Sequence, residues 1–299
     1  NSILDWEMCT IGDPLMDLGT SIAYWAMSSD PTSLKAAFDY PTSLKGNPTR
    51  LEVVEMYEKL FKTAKENALD TIYSGFNNVD FNLKIHPISE VSSLQIFDSP
   101  ESVNEVLIDM IASEPSIKRE RKYRMSVWHA IYSRDLITKN KIKFCSERDF
   151  ISEDIIFHID YLSKSSRIAF LPDSFYFYCF NDNSLTKVFR EDRFEKAKTL
   201  YNEINRKLIS KGFTEKFFKN RTDRFLIGYA RYSLVGLSKA DISYKKRKKL
   251  ANIICNDLIW EAMSNYPISK MPNKQKLVMY LIKHKMVDLL LLICKYRGR

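Results

Sequence analysis

Apolar positions recur along this chain with two periods, and the switch between them lays out the elements. Val53, Val54, Tyr57, Leu60, Phe61 and Ala64 fall at three- and four-residue intervals, so a helix runs from about Pro48 to Asn67. Thr49, with Glu52 three positions on, forms a capping box at its start. Upstream, Ile3-Leu4 reads as a short strand, Gly12-Asp13-Pro14 as a turn, and Leu15, Leu18, Ile22 and Trp25 as a helical face. Residues 28–50, rich in Ser, Pro, Thr and Asp, read as loop. The β-branched and aromatic run Thr71-Ile72-Tyr73-Ser74-Gly75-Phe76 predicts a buried strand. A helix capped by Ser99 follows over Pro100 to Ala112, then a strand over Met125 to Tyr132 and a short helix over Arg134 to Asn140. Ser152 caps a helix over Glu153 to Leu162, and its two leading acids suit the macrodipole. Ile168 to Phe170 and Ser174 to Phe180 read as two strands parted by Pro172-Asp173. Beyond Asn183-Ser184, helices are expected near 189–210, 214–237, 240–264 and 274–296. The pattern is α/β to about residue 186, followed by an all-helical tail.

Composition narrows the function. The chain has 299 residues, 45% hydrophobic, 28% charged and 13% aromatic, which excludes overall disorder, collagen-like repeats and a coiled coil. Only 8 glycines are present, and none builds G-x-G-x-x-G or G-x-x-x-x-G-K, so no glycine-rich phosphate cradle exists in this sequence. The five cysteines, Cys9, Cys145, Cys179, Cys255 and Cys294, are scattered without zinc-ligand spacing and read as reduced thiols of a cytosolic protein. The sequence opens on Asn1-Ser2-Ile3, without Met or signal peptide, which suggests a fragment. The net charge of +9 hides an asymmetry. Residues 1–110 carry 7 basic and 17 acidic side chains, and residues 111–299 carry 39 and 20. A basic surface of that kind faces nucleic acid, a membrane or phosphorylated sugars.

Ile3-Leu4-Asp5-Trp6-Glu7, then Gly12-Asp13-Pro14-Leu15-Met16-Asp17-Leu18-Gly19 and Tyr24-Trp25, resemble the metal-binding stretch of aminoglycoside phosphotransferase-like kinases. Pro48-Thr49-Arg50 fits the same family. The resemblance covers about residues 1–55. It implies that Asp5 is a metal ligand and that Asp17 braces the catalytic loop. That family's nucleotide lobe and catalytic-loop Asp and Asn have no counterpart in the sequence, so the segment reads as a remnant.

From Met56 onward a different resemblance takes over. Met56-Tyr57-Glu58-Lys59-Leu60, Ala64-Lys65-Glu66-Asn67 and Ile72-Tyr73-Ser74-Gly75-Phe76 resemble a family-2 glycosyltransferase just after its acidic metal motif. The match continues through Ser126-Val127-Trp128-His129-Ala130-Ile131-Tyr132-Ser133-Arg134 and Phe150-Ile151-Ser152-Glu153-Asp154-Ile155-Ile156-Phe157. It ends with Tyr176-Phe177-Tyr178 and Asn183-Ser184-Leu185-Thr186. The resemblance implies an incomplete GT-A-like (nucleotide-diphospho-sugar transferase) domain followed by the helical tail. The parts are a phosphotransferase-like remnant over 1–55, a glycosyltransferase-like α/β region over 56–186 and a basic helical tail over 187–299. It further implies inverting sugar transfer from a nucleotide-sugar donor to a saccharide or lipid-linked acceptor in bacterial surface-polysaccharide or capsule synthesis. Asp154 is then the base that deprotonates the acceptor hydroxyl, with Glu153 as its neighbour. Trp128 is the aromatic before the acceptor-side loop, and Arg190 and Arg193 suit a diphosphate. The family uses a divalent metal, Mn²⁺ or Mg²⁺, but its usual acidic motif is absent from the sequence. His129 and His158 lack metal-ligand partners and read as non-functional.

Lys245-Lys246-Arg247-Lys248-Lys249 is a basic run, with no nucleic-acid-binding pattern beside it, so no nucleic acid is expected. Leu277, Val278, Leu281, Ile282 and Leu289 to Ile293, flanked by Lys274, Lys276, Lys283 and Lys285, read as an amphipathic helix for an anionic bilayer. That expectation places the protein in the cytoplasm, peripheral to the inner face of the membrane. The two competing classes are a phosphotransferase-like kinase fragment and a non-catalytic basic module that binds membrane or a partner.

Overall fold

The computed structural model describes residues 18–19, 22–37, 41–43, 47–82, 84–146, 148–179 and 189–297. The strand at Ile3-Leu4, the turn at Gly12, Asp5, Asp17 and the Asn183-Ser184-Leu185-Thr186 motif lie outside them. The chain divides into two compact units, Asn1–Asn67 and Ala68–Arg299.

Within the first unit, helix α1 (Thr32–Ala37) and a 3₁₀ turn (Pro41–Ser43) lead to α2 (Arg50–Glu66). The capping box is present: Thr49 accepts from the Glu52 amide and Glu52 accepts from the Thr49 amide. Such a box contributes on the order of 1 kcal/mol. Arg50 grips Asp30 with two hydrogen bonds of 2.6 and 3.1 Å, and the Trp25 indole donates to the Pro48 carbonyl at 2.8 Å.

The second unit is built on a five-stranded sheet. Its central strand β1 (Thr71–Val79) pairs in parallel with β5 (Ile168–Cys179). On its other edge β1 pairs antiparallel with β4 (Ala130–Tyr132) at its start and β2 (Ile85–Ile88) at its end. Strand β3 (Gln95–Phe97) closes the far side, antiparallel to β5. The two strands expected around Pro172-Asp173 are one. Proline has no amide to give a ladder, but the register shifts between Tyr73, Gly75 and Phe76 let β5 carry extra residues there and resume pairing. Gly75 sits at that irregularity because a Cβ would lie 2.6 Å from the Ile88 carbonyl and 2.7 Å from the Ser174 hydroxyl.

Helices α3 (Pro100–Ile111, capped by Ser99), α4 (Arg134–Asn140) and α5 (Glu153–Leu162) start and stop where the sequence places them, within a residue. The expected strand over Met125 to Tyr132 shrinks to Ala130–Tyr132. One of its amides goes elsewhere: Val127 donates to Asp154, so it is not spent on a ladder.

The C-terminal helices are α6 (Arg193–Ser210), α7 (Glu215–Lys239), α8 (Tyr244–Cys255), α9 (Ile259–Ala262), α10 (Asn273–Lys283) and α11 (Val287–Arg297), with a 3₁₀ turn at Ile268–Lys270. Two helices that the periodicity joins are broken. Asp257 accepts from the Ile259 amide and restarts the chain after Asn256. Lys285 takes a left-handed φ of 55° between α10 and α11.

Two hydrophobic cores result. One joins the sheet to α3 and α5, and the other fills the helical part. Helix α7 serves both: Phe218 and Phe225 belong to the first, Leu226, Ile227, Ala230 and Leu234 to the second. The apolar residues read as a bilayer-facing stripe largely point inward, since Val278, Leu281, Ile282 and Leu290 lie in the helical core. Among the described residues, no helix is long and apolar enough to cross a membrane. The basic run is also partly spent internally. Lys246 pairs with Glu191, Lys248 with Asp288, and Arg247 donates to the Ala240 and Ile242 carbonyls beyond α7.

Candidate functional site

Helix α5 is nearly all apolar behind its first turn, so it buries Ile155 to Ile159 against the sheet and leaves only its N-terminus exposed to a cavity. Ser152 occupies the N-cap position but makes no side-chain cap. Its hydroxyl lies 2.5 Å from the Ile151 carbonyl and 2.6 Å from the Tyr229 hydroxyl on α7. The expected cap is therefore replaced by a tie to the helical part.

Asp154 accepts from the Val127 amide at 3.4 Å. Burial pushes its carboxyl up from 3.8 to about 7, the Glu153 charge adds to the rise, and the Val127 amide opposes it. A helix N-terminus by itself would lower a carboxylate pKa. Desolvation and the neighbouring acid outweigh it here. The result is a carboxyl balanced between proton donor and acceptor near neutrality, the property a general base requires.

Glu153 and Asp154 line a cavity of about 1030 Å³, at the upper end of the ~300–1,000 Å³ typical of small-molecule sites. Arg190 and Arg193 line the same cavity, so four of the side chains singled out from sequence come together. Arg193 lies over the Tyr232 ring, 4.8 Å from its centroid, and Arg190 is 3.4 Å from Asp192. Trp128 does not line this cavity. It packs among Tyr176, Tyr178, Phe76 and His129, its ring 4.4 Å from that of Tyr176. Asp5 lies outside the described residues.

Sequence reasoning passed over Arg121, Arg224, Tyr229 and Arg231, which also line the cavity. The stretch Lys118 to Arg124 is visibly basic, but its members part ways. Arg119 and Arg124 bind Glu90, Lys122 faces Asp109, and Arg121 turns into the cavity over Phe225. On α7, Phe225, Tyr229 and Tyr232 repeat at helical spacing, an aromatic stripe that reads from sequence as core.

His129 and His158 sit behind the site, between α5 and the sheet. The His158 Nδ1 donates to the Asp154 carbonyl at 2.9 Å, so its Nε2 accepts from the Tyr132 hydroxyl at 3.2 Å. Burial lowers His129 to about 3 and His158 to about 4, and both are neutral at pH 7. Among the described residues, no three His, Cys, Asp or Glu side chains gather into a metal-binding set. Glu120, the third cavity carboxylate, is engaged by Arg231 and Gln275. The described donor set does not fit a divalent metal.

No protein-family profile and no curated protein sequence matches the chain. Solved structures do. The chain is similar to residues 1–349 of Staphylococcus aureus TarS in complex with UDP, with a TM-score of 0.50, 18% identity and 84% of this chain covered. It spans 63% of that structure's chain. It is also similar to the same TarS segment in complex with UDP-GlcNAc, with a TM-score of 0.51, 14% identity, and 95% of this chain and 88% of that one covered. The fold is thus a glycosyltransferase-like α/β fold with a helical C-terminal part.

Proposed function

We propose that the protein transfers a sugar from a nucleotide-sugar donor to an acceptor hydroxyl in cell-surface polysaccharide synthesis, with Asp154 as the base. The observation that carries this reading is the raised Asp154 carboxyl in a cavity shared with Arg190 and Arg193. Support comes from the TarS structures of the same fold, which hold UDP and UDP-GlcNAc.

Asp154 accepts the proton of the acceptor hydroxyl as its oxygen attacks the anomeric carbon. The anomeric carbon–oxygen bond to the diphosphate breaks on the opposite face, its electron pair leaves with the nucleoside diphosphate, and the configuration inverts. Arg190 and Arg193 bind the diphosphate and neutralise the charge that grows on it, a role their planar donor forks suit. Burial keeps Asp154 basic enough, and like-charge repulsion from Glu153 adds to it. The test is release of UDP from UDP-GlcNAc and of nucleoside diphosphate from other sugar nucleotides, in the presence of saccharide acceptors. Asp154→Asn is expected to lower turnover by about 10²–10⁴-fold. Equal turnover in parent and variant would sink the assignment.

A second role at a bilayer surface has narrower support. Leu277, Tyr280, Leu289 and Leu292 remain exposed on α10 and α11 near Lys276, Lys283 and Lys285. Flotation with anionic and with neutral vesicles tests it, and equal recovery in both would remove it.

A further inference from the structure

Asp154 owes its setting to the loop that meets it as much as to its own helix. Among the described residues its carboxylate accepts one hydrogen bond, from the Val127 amide at 3.4 Å. Val127 is 3% exposed and lies in the irregular stretch between α3 and β4. Backbone outside a ladder is placed by whatever its polar groups bind. This stretch is pinned on both sides of Val127. Downstream, the His129 carbonyl accepts from the Ser74 amide of β1 at 2.8 Å and from the Ser74 hydroxyl at 3.2 Å. Upstream, the Arg124 amide donates to both oxygens of Glu90, at 2.8 and 3.0 Å.

Glu90 stands in the bend after β2 and does not line the cavity. Its side chain is 5% exposed, and burial raises its carboxyl. A buried acid is costly unless its oxygens are engaged, and one short segment engages these. Besides the Arg124 amide, Arg119 donates to Glu90 at 3.1 Å and the Arg124 guanidinium lies 3.6 Å away. That guanidinium also lies over the Phe76 ring, 4.8 Å from its centroid, and Phe76 meets the Trp128 ring edge-on at 5.0 Å. Residues 124 and 128 are thus both fixed, with Val127 between them.

We propose that Glu90 is a positioning residue: by gripping the Arg124 amide it holds the Val127 amide on Asp154, and so sets the direction and basicity of the base without touching a substrate. This rests on the reading of Asp154 as the base. Position and charge make opposite demands. An amide that donates to a carboxylate favours the ionised form, so a slackened grip raises Asp154. Glu90 is itself negative, and removing that charge beside Arg119 and Arg124 lowers Asp154. The other titratable or charged groups around Asp154 are Glu153 and His158 on α5, Tyr132 on β4, and Glu120 with Arg121, Arg190, Arg193, Arg224 and Arg231 about the cavity. Tyr73 and Tyr123 lie near Glu90. Substitution at Glu90 leaves all of these in place. Glu90→Asp keeps the charge and withdraws the oxygens by one carbon, whereas Glu90→Gln keeps the reach and removes the charge.

The test is a carbon-13 NMR titration of the full chain labelled at its aspartate carboxyls, with the Asp154 resonance identified by its loss in Asp154→Asn. Glu90→Asp and Glu90→Ala raise the Asp154 midpoint by about half a pH unit, and Glu90→Gln does not raise it. In turnover of UDP-GlcNAc, Glu90→Asp lowers kcat at pH 7 by about tenfold and leaves the KM for UDP-GlcNAc within about twofold. Should Glu90→Ala fail to fold, Glu90→Asp against Glu90→Gln carries the comparison. The proposal is overturned if the Asp154 midpoint in Glu90→Asp is unchanged or lowered, or if Glu90→Gln raises it as far. A raised midpoint in a chain that turns over no sugar nucleotide would count against the transferase reading and leave the positioning role standing. Turnover that depends on Asp154, with a midpoint that Glu90→Asp does not move, would do the reverse.

Discussion

Asp154 and His158 stand one turn apart on α5, and burial drives both toward the neutral form. The carboxyl rises to about 7 and the imidazole falls to about 4. Yet the two do different things. His158 is fully buried, its two ring nitrogens are both bonded, and aromatic rings surround it. Asp154 is half-buried, holds one weak amide contact and opens on a cavity. A perturbed pKa therefore identifies a working group only when unspent hydrogen-bonding capacity and access accompany it. On α5 that combination exists only in the first turn.

The largest break in this comparison comes from Asp154→Asn. Besides the loss of turnover, it should stabilise the fold at pH 8. The carboxyl is raised above its unfolded value of 3.8, so its contribution is fully favourable below pH 4 and is lost as pH climbs through about 7. Roughly three units at ~1.4 kcal/mol each set a ceiling of about 4 kcal/mol on the gain at pH 8, with none at pH 4. Denaturant melts at both pH values measure it.

Next in size is the histidine pair, which titrates with the opposite sign. Each is held below its unfolded value of 6.5, so the native state loses stability as pH falls below 6.5 toward 4. His158→Gln should flatten that decline by up to ~1.4 kcal/mol per pH unit while turnover at pH 8 persists. Activity lost with Asp154→Asn and kept with His158→Gln would sharpen the contrast; both lost would erase it.

The pH–rate profile is the third measure. Turnover should rise about tenfold per pH unit below 7 and level off above it, as Asp154 ionises. The smallest effect is expected from Tyr229→Phe. Losing its bond to Ser152 should cost about 1 kcal/mol and free that hydroxyl to cap α5. The added N-terminal hydrogen bond should then move the midpoint of the rate profile. An unchanged midpoint would show that the tie is structural only.

Local signals made much of this fold legible. The Thr49-x-x-Glu52 box, Ser99 before Pro100, and the acids opening α5 each mark a helix start through a chemistry confined to a few residues. What escaped is set by distant partners. No glycine or proline marks Lys285, so the break between α10 and α11 is invisible until both helices pack. The amide of Val127 turns from the expected strand to Asp154, a carboxylate with no sequence proximity to it. The same holds for the site. The Glu153-Asp154 pair and the arginines after Asn183 could be picked out, but Arg121 differs from Arg119 and Lys122 only in where α7 lies.

Helix α7 contributes to the sheet core with Phe218 and Phe225 and to the helical core with Leu226, Ile227, Ala230 and Leu234. An element whose opposite faces seal two cores cannot be released from one without opening the other. The sheet and the C-terminal helices should consequently melt as one cooperative transition. Native-state hydrogen exchange should report one shared opening free energy for the most protected amides of α5 and α10.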